Sequence, residues 1–155
     1  MTAAAIDIKA KAAFPAGALS NFAAHPFQLD GVACGGMEGF LQGLKTNDHT
    51  AQLEICALTG EAAQKAGRQY AWKHAGVLWW RGEAFDRLSE DYQQLLDRAY
   101  AALAEQSQAF KRALLATGDS TLTHSIGQTD PCETILTADE FCMRLMALRA
   151  RLRGG

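Results

Sequence analysis

The sequence has no long apolar run. Its uninterrupted hydrophobic stretches are only a few residues long, whereas a helix that spans a bilayer needs about 20 apolar residues. The segment Met1–Pro15 carries the charged Asp7, Lys9 and Lys11, where a secretory signal peptide would need an unbroken apolar stretch. These absences predict a cytoplasmic protein that makes no contact with a membrane.

Metal-binding and nucleotide-binding motifs are also missing. The cysteines Cys34, Cys56, Cys132 and Cys142 form no C-x-x-C pair, which argues against a zinc knuckle and fits free thiols in a reducing compartment. The histidines form no H-E-x-x-H or H-x-H pattern, and neither a Walker loop nor G-x-G-x-x-G is present. The sequence therefore predicts no catalytic metal and no other cofactor, and it argues against an ATPase or a Rossmann dehydrogenase.

The chain has little excess of charge of either sign. It has 15 basic and 17 acidic side chains among 155 residues, and 48% of its residues are hydrophobic. This balance argues against global disorder and against a general polyanion binder, although local basic patches are compatible with it. The length predicts one domain with its own core.

Turn-forming residues mark the start of that domain. The Ala-rich Met1–Ala18 is predicted to be a loosely held arm, ahead of a single domain over residues 19–153. Asp30-Gly31 stands between two short runs of strand-forming residues within Pro26–Cys34, which is a strong hairpin signal. A small two-stranded ribbon is therefore expected near the N-terminus.

Helical periodicity dominates the rest of the chain. Gly67–Gly82, rich in aromatic residues and glycine, is expected to be irregular loop with strand fragments. Thr137 and Glu140 have the spacing of a capping box that opens the last helix. The predicted fold class is a single, predominantly helical α+β domain with a small N-terminal β-hairpin or sheet. The predicted helices cover residues 37–45, 51–58, 59–67, 86–105, 110–116 and 137 onwards.

Several short motifs occur together along the chain. They are Ser20-Asn21-Phe22, the helix Glu38–Lys45 reading Glu-x-x-x-Gln-x-x-Lys, Leu114–Asp119 reading Leu-x-x-Thr-Gly-Asp, and a closing Leu145-Met146-x-x-Arg149. Together they resemble the NADAR family, also called YbiA-like, over about residues 19–152. The resemblance implies a YbiA-like fold and a hydrolase that cleaves N-glycosidic bonds at ribose. The bond would lie in ADP-ribose attached to a base or in a phosphoribosylamino pyrimidine.

The sequence departs from the family pattern at three places, one of which lies near the last helix, where the expected Gly and Asn have no counterparts around Asp139 and Cys142. Leu41 stands where the family's helix usually has an aromatic residue. Asp130–Thr134 replaces the usual Asp-x-x-Trp-Gly segment and lacks its Trp and Gly. The resemblance therefore implies a divergent member whose pocket floor is remodelled.

Glu38 and Lys45 are the candidate catalytic residues. Seven residues of helix rise about 10 Å in two turns, so both side chains leave the same face. Breaking a ribose C1–N bond builds positive charge on the sugar, which a nearby carboxylate stabilises directly or through an activated water. A desolvated lysine can attack C1, or stay charged and hold a phosphate or leaving group. The alternative is an ordinary solvated Glu–Lys pair.

The other candidate site residues would bind the substrate. Asn21 could bind a ribose or base edge or cap a turn, Asp119 could be a second carboxylate or a helix cap, and His124 could carry a proton or be structural. Indole rings could stack on a base, and a guanidinium group could hold a diphosphate. The set comprises Asn21, Gln42, Arg68, Trp79, Trp80, Asp119, His124 and Asp130.

The sequence thus predicts a metal-independent N-glycosidase acting on an ADP-ribosyl or phosphoribosyl adduct of a small molecule or a nucleic acid. One alternative is a module that binds ADP-ribose or a nucleotide without cutting it. Another is a structural or interaction protein with an eroded pocket. The last helix carries Arg144, Arg149, Arg151 and Arg153, which leaves room for contact with DNA or RNA.

Overall fold

The structure, a computed structural model, describes residues 4–154 and consists, in this range, of seven helices and three two-stranded sheets. The predicted class, a predominantly helical α+β domain, is confirmed. Among these residues no helix is both long enough and apolar enough to span a membrane. The elements are β1 (Ala5–Asp7), α1 (Ala16–Leu19), β2 (Phe27–Leu29), β3 (Val32–Cys34), α2 (Met37–Gly43), α3 (His49–Cys56), α4 (Gly60–Gly67), β4 (Val77–Trp80), β5 (Glu83–Asp86), α5 (Glu90–Gln106), α6 (Gln108–Ala116), β6 (Thr121–Thr123) and α7 (Ala138–Gly154).

Two hairpins turn through residues in the left-handed region. Asp30 (φ 51°) and Gly31 (φ 81°) join β2 to β3, and the predicted hairpin is confirmed. Arg81 (φ 50°) and Gly82 (φ 86°) join β4 to β5 in the same way. Positive φ at both central residues gives a turn whose twist matches that of the strands. The second hairpin lies in and just after the segment predicted to be irregular with strand fragments.

The segment predicted to be a loose arm is instead joined to the domain. Strand β1 pairs in parallel with β6, and Ile8, which follows it, is completely buried. The Asp7 carboxylate accepts bonds from the Ser125 hydroxyl and backbone N–H, at 2.6 and 2.8 Å. These bonds hold the pKa of Asp7 well below its usual range. Residues 1–3 of the predicted arm lie outside the described range.

The last helix begins at the predicted capping box. The Glu140 backbone N–H donates to Thr137 Oγ1 at 3.0 Å, and the Thr137 N–H donates to Glu140 Oε1 at 2.7 Å. The same carboxylate accepts two bonds from the buried Arg87, at 2.6 and 3.0 Å. One glutamate therefore caps α7 and neutralises a buried guanidinium group.

Two glycines let α2 pack closely against the end of α3. A Cβ atom at Gly39 would lie 2.5 Å from the Cys56 carbonyl oxygen, and one at Gly43 would lie 2.7 Å from Cys56 Sγ. Because the two glycines are four residues apart, they share one face of α2. Every residue of α2 is buried, so this helix is a fixed support for the side chains that it presents.

Candidate functional site

A cavity of about 550 Å³ lies beside α2, within the range of about 300–1,000 Å³ typical of small-ligand pockets. Its walls come from α2, α4, the loop that follows α4 and the loop between β6 and α7. Six of the candidate residues predicted from the sequence line it: Asn21, Glu38, Gln42, Lys45, Arg68 and His124. Two separate sequence motifs and two more distant residues thus meet in one cavity.

Glu38 is a buried carboxyl group at the wall of this cavity. Only 8% of the residue is exposed, so it is not part of a solvated surface pair. Its Oε1 accepts a bond of 2.8 Å from Gln42 Nε2, one helical turn away. Burial raises the pKa of Glu38, and the Gln42 bond and the charge of Lys45 oppose that rise only in part. Glu38 is therefore poised to exchange a proton nearer to neutral pH than an exposed glutamate.

Lys45 lines the same cavity and is half-buried. The helix predicted over residues 37–45 ends at Gly43, so Lys45 lies in the turn just after α2. Within residues 4–154 its ammonium group forms no salt bridge. Burial lowers the pKa of Lys45; the charge of Glu38 opposes this shift, and the charges of Lys73 and Arg68 add to it. A larger share of neutral amine is therefore present at neutral pH than for a surface lysine.

Gln42 orients Glu38, and its side chain occupies space that is left open by a glycine of α4. The Gln42 Oε1 atom is buried without a hydrogen-bond partner among the described residues. A Cβ atom at Gly67 would overlap this amide, lying 2.8 Å from Gln42 Cδ. The absence of a side chain at Gly67 thus gives Gln42 the space from which its Nε2 reaches Glu38.

Gly67→Ala is expected to displace the Gln42 amide and break its bond to Glu38. The pKa of Glu38 then rises further, because a bond that favours the carboxylate is lost. The free energy of unfolding is expected to change by less than about 1 kcal/mol, since the helix propensity gained by alanine offsets the crowding. An NMR titration of the Glu38 carboxyl carbon measures the shift. Gly154→Ala, at a helical glycine with open space around it, is the matched control, and an unmoved Glu38 titration in Gly67→Ala would contradict this arrangement.

Asn21 is held in one orientation by a buried tyrosine. The Tyr100 hydroxyl donates to Asn21 Oδ1 at 2.7 Å, and Tyr100 itself is fully buried. The Asn21 carbonyl also accepts the Glu38 backbone N–H at 3.1 Å, which joins this motif to the start of α2. With its oxygen engaged, Asn21 offers the cavity its NH₂ group, a hydrogen-bond donor.

His124 is anchored at one ring nitrogen. Its Nδ1 lies 2.7 Å from the Ile8 carbonyl oxygen, and its ring packs edge-on against Phe141. A bond to a carbonyl oxygen requires a proton on Nδ1, so neutral His124 carries its lone pair on Nε2. Because His124 lines the cavity, Nε2 is the ring atom through which it can accept a proton.

The two tryptophans predicted to stack on a base do not line this cavity. Trp80 is buried in the core, with its Nε1 donating to Asp30 Oδ2 at 2.8 Å and its ring against Phe40. Trp79 has its backbone N–H bonded to the Leu44 carbonyl oxygen at 2.8 Å. Trp72, in the same aromatic segment, is the tryptophan of the cavity wall, and the sequence pattern alone does not distinguish it from the other two.

Two predicted carboxylates also lie away from the cavity wall. Asp119 is exposed and pairs with Arg153 near the end of α7. Asp130 accepts the Cys132 backbone N–H at 2.8 Å and thereby shapes a turn. Neither residue contributes a lining atom to the cavity.

The basic face predicted on the last helix is largely engaged within the protein. Arg149 is buried and donates to Thr117 Oγ1 and to the Ser120 carbonyl oxygen, both at 2.8 Å. Arg144 pairs with Asp97 at 2.6 Å. These guanidinium groups hold α7 on the domain, because the turn between α6 and β6 and the helix α5 supply their acceptors.

Several lining residues belong to no motif in the sequence. They stand on the two loops at the cavity rim or on α4, and only their position in the fold identifies them. They include Gln64, Lys73, Gln128 and Glu133.

A larger groove of about 750 Å³ runs between α5 and α7. Its charged groups include the Arg144–Asp97 pair and Glu140, which is bonded to Arg87. It lacks the buried Glu38 and the half-buried Lys45, so the smaller cavity is the better candidate for chemistry. In the described range no three His, Cys, Asp or Glu side chains gather in an arrangement that could hold a metal ion.

Known proteins are similar to this chain in sequence or in fold. The chain is 43% identical over 150 residues to the uncharacterized 17.1 kDa protein in the Gp30–rIII intergenic region of Enterobacteria phage T4, covering 95% of this chain and 98% of that protein. It matches the NMR structure of the E. coli protein YbiA with a TM-score of 0.65 at 21% identity, over 99% of this chain and 87% of that one. This likeness confirms the YbiA-like fold and shows the fold alone. The family described as bacteriophage protein GP30.3 matches residues 13–150. The chain therefore belongs to the bacteriophage protein GP30.3 family.

Proposed function

We propose that the protein hydrolyses the bond between ribose C1 and a base nitrogen, most readily in an ADP-ribosylated base or nucleotide. The observation that carries this proposal is the placement of buried Glu38 and half-buried Lys45 on one wall of a polar cavity, with their pKa values shifted toward each other. The YbiA-like fold and the shared motifs are consistent with it. The proposed site also depends on the segment around β1, because Ile8, which follows this strand, accepts the bond from His124.

Proton transfer is the role proposed for Glu38. In the overall reaction the C1–N bond breaks, the base leaves with the electron pair and gains a proton, and water supplies the hydroxyl group at C1. A carboxyl group with a raised pKa can take the proton from water and return one to the base. In its charged form it also stabilises the positive charge that develops on the sugar ring.

Nucleophilic attack is the role proposed for Lys45. The neutral Nζ attacks C1 and the base departs; the ring oxygen then leaves C1, takes up a proton and opens the sugar to a C1=N imine. Water adds to C1 and releases the lysine. A lowered pKa favours this role over a purely electrostatic one, because the amine must be uncharged to attack.

Borohydride is expected to trap the imine as a stable sugar adduct on Lys45. Hydride adds to C1 of the C1=N bond, so the added mass stays with the peptide that contains Lys45. Lys45→Arg keeps the positive charge but supplies no neutral amine, and it should give no adduct. Turnover by Lys45→Arg close to that of the unmodified protein would assign Lys45 the electrostatic role instead.

The substrate class is tested by product analysis. The protein is incubated with a guanine-ADP-ribosylated oligonucleotide, with free ADP-ribosyl nucleosides and with a phosphoribosylamino pyrimidine, and released base and sugar are detected by mass. Release from the oligonucleotide or the nucleosides is the expected result. Release from the pyrimidine alone would identify the alternative phosphoribosyl substrate.

A binding module is the second candidate function. The segment Asp130–Thr134 lacks the Trp and Gly that are usual in the NADAR family, which the sequence resembles. The cavity nevertheless has a polar lining. A protein of this kind would bind ADP-ribose saturably and release no base from any of the three substrates. That combination of results would replace the hydrolase proposal.

A further inference from the structure

An ion pair links the two loops at the rim of the cavity. Lys73 Nζ lies 3.2 Å from Glu133 Oε2, and 54% of each side chain is exposed. Lys73 belongs to the loop between α4 and β4, Glu133 belongs to the loop between β6 and α7, and both residues line the cavity. The pair thus joins segments 60 residues apart in the sequence at a place where a ligand would enter.

The charges around this rim are unequal. Lys45, Arg68 and Lys73 all line the cavity, whereas its carboxylates are the buried Glu38 and the rim residue Glu133. The Arg68 Nη2 group donates to Gln64 Oε1 at 3.0 Å. Gln64 is neutral, so the charge of Arg68 is not cancelled by this bond.

We propose that Arg68 and Lys73 bind a phosphate group of the substrate and that the Glu133 carboxylate holds the place of that phosphate until the substrate arrives. This inference rests on the proposed function, because it names the part of the substrate that the rim recognises. A guanidinium group can donate two parallel bonds to a phosphate, and an ammonium group adds a compact positive charge. An exposed ion pair such as Lys73–Glu133 contributes little, so a more highly charged phosphate displaces Glu133 from Lys73.

The exchange makes the rim selective for substrates with phosphate groups. A neutral nucleoside cannot displace Glu133 from Lys73, because it brings no charge to replace the carboxylate. A diphosphate or phosphomonoester brings that charge and frees Glu133. Removing the Glu133 charge should therefore improve the binding of phosphate-bearing ligands, which is opposite to the usual effect of a substitution at a binding site.

The test is calorimetric binding of inorganic pyrophosphate, ADP-ribose and adenosine to the full chain and its variants. Glu133→Gln is expected to bind pyrophosphate and ADP-ribose about 3-fold to 10-fold more tightly, and Lys73→Met about 10-fold more weakly, in line with single exposed charge interactions. Adenosine binding should be the same in both variants. Added salt should reduce these differences.

Asp97→Asn is the matched control. Asp97 is an exposed carboxylate paired with Arg144 in the other groove, so its loss lowers the net negative charge equally without changing the rim. Ligand affinity in Glu133→Gln equal to or weaker than that of the unmodified protein, or pyrophosphate binding unaffected by Lys73→Met, would overturn the inference. Thermal melting of each variant confirms that it is folded. Binding is measured independently of turnover. If the affinities change as expected but no substrate releases a base, the proposed hydrolysis is refuted and the phosphate-binding role of the rim residues still holds.

Discussion

Replacing Glu38 by glutamine is expected to lower kcat for base release by about 10²–10⁴-fold, the usual contribution of a positioned acid or base. Glutamine keeps the shape of the side chain and its place beside Gln42, but it cannot exchange a proton. The measurement is single-turnover release of base from the best of the three substrates. Glu61→Gln, at an exposed glutamate in the first turn of α4, is the control and should retain full activity.

The same Glu38→Gln variant is expected to be more stable than the unmodified protein at pH 7. Burial raises the pKa of Glu38 in the folded state, so the stability associated with this group is present below its unfolded pKa of about 4.3 and is lost as the pH rises through the folded value. Glutamine cannot ionise, so the variant does not lose this stability as the pH rises. Thermal melting at pH 4 and at pH 7 separates the effects: the gain should appear at pH 7 and vanish at pH 4.

Either of two results would contradict this role for Glu38. Full turnover by Glu38→Gln would exclude the carboxyl group from the chemistry. A melting temperature lowered at pH 7 would show that the charge is stabilised in the folded protein. An inactive variant that is more stable than its parent would indicate a residue kept at a cost in stability, which is common for catalytic groups.

Glu140→Ala is expected to lower the free energy of unfolding by about 3–5 kcal/mol, the cost of leaving a buried charge without its partner. The Arg87 side chain is 3% exposed and is held by two bonds to Glu140, by the Thr134 carbonyl oxygen at 2.9 Å and by the Tyr92 ring. Alanine also removes the capping bond to Thr137. Urea unfolding measures the loss as a lower midpoint.

The double variant Arg87→Met with Glu140→Met is the control for this interpretation. Replacing both members of a buried pair by apolar side chains is commonly much milder than removing one, so the double variant should regain a large part of the stability. A double variant no more stable than Glu140→Ala would show that packing or capping, rather than the unpaired guanidinium, causes the loss.

The Glu140 pair also predicts how stability depends on pH. Burial alone would raise the pKa of Glu140, but bonds from Arg87, Thr137 and Gln93 outweigh it, and the pKa is lowered. A lowered pKa supplies stability above the unfolded value of about 4.3, and that stability is lost as the pH falls. The urea midpoint should therefore decline below about pH 4 in the unmodified protein, and decline less in Glu140→Ala.

Local signals in the sequence were sufficient where the structure itself is local. Asp30-Gly31 predicted a hairpin, and the spacing of Thr137 and Glu140 predicted a capping box, because both depend on residues that are neighbours along the chain. The spacing of Glu38 and Lys45 predicted two groups that line one cavity, although α2 ends at Gly43 and Lys45 lies in the turn just after it. In each case the residues that determine the geometry are close together along the chain.

Contacts between distant segments were beyond the same signals. The parallel pairing of β1 with β6 joins residues more than a hundred positions apart, so neither strand alone predicts it. Adjacent aromatic residues gave no indication that Trp72, rather than Trp79 or Trp80, would line the cavity. The rim pair of Lys73 and Glu133 belongs to two loops with no periodic pattern, and only the packing of the domain brings those loops together.

The pairing of β1 with β6 determines when, during synthesis, the part of the cavity around His124 can form. The ribosome releases β1 well before its partner β6, which emerges only after more than a hundred further residues have been made, and pairing across such a separation is slow. Ile8, whose carbonyl oxygen anchors His124, must therefore wait for the late segment. A nascent chain that stops before β6 can contain α2 and still lack one wall of the cavity.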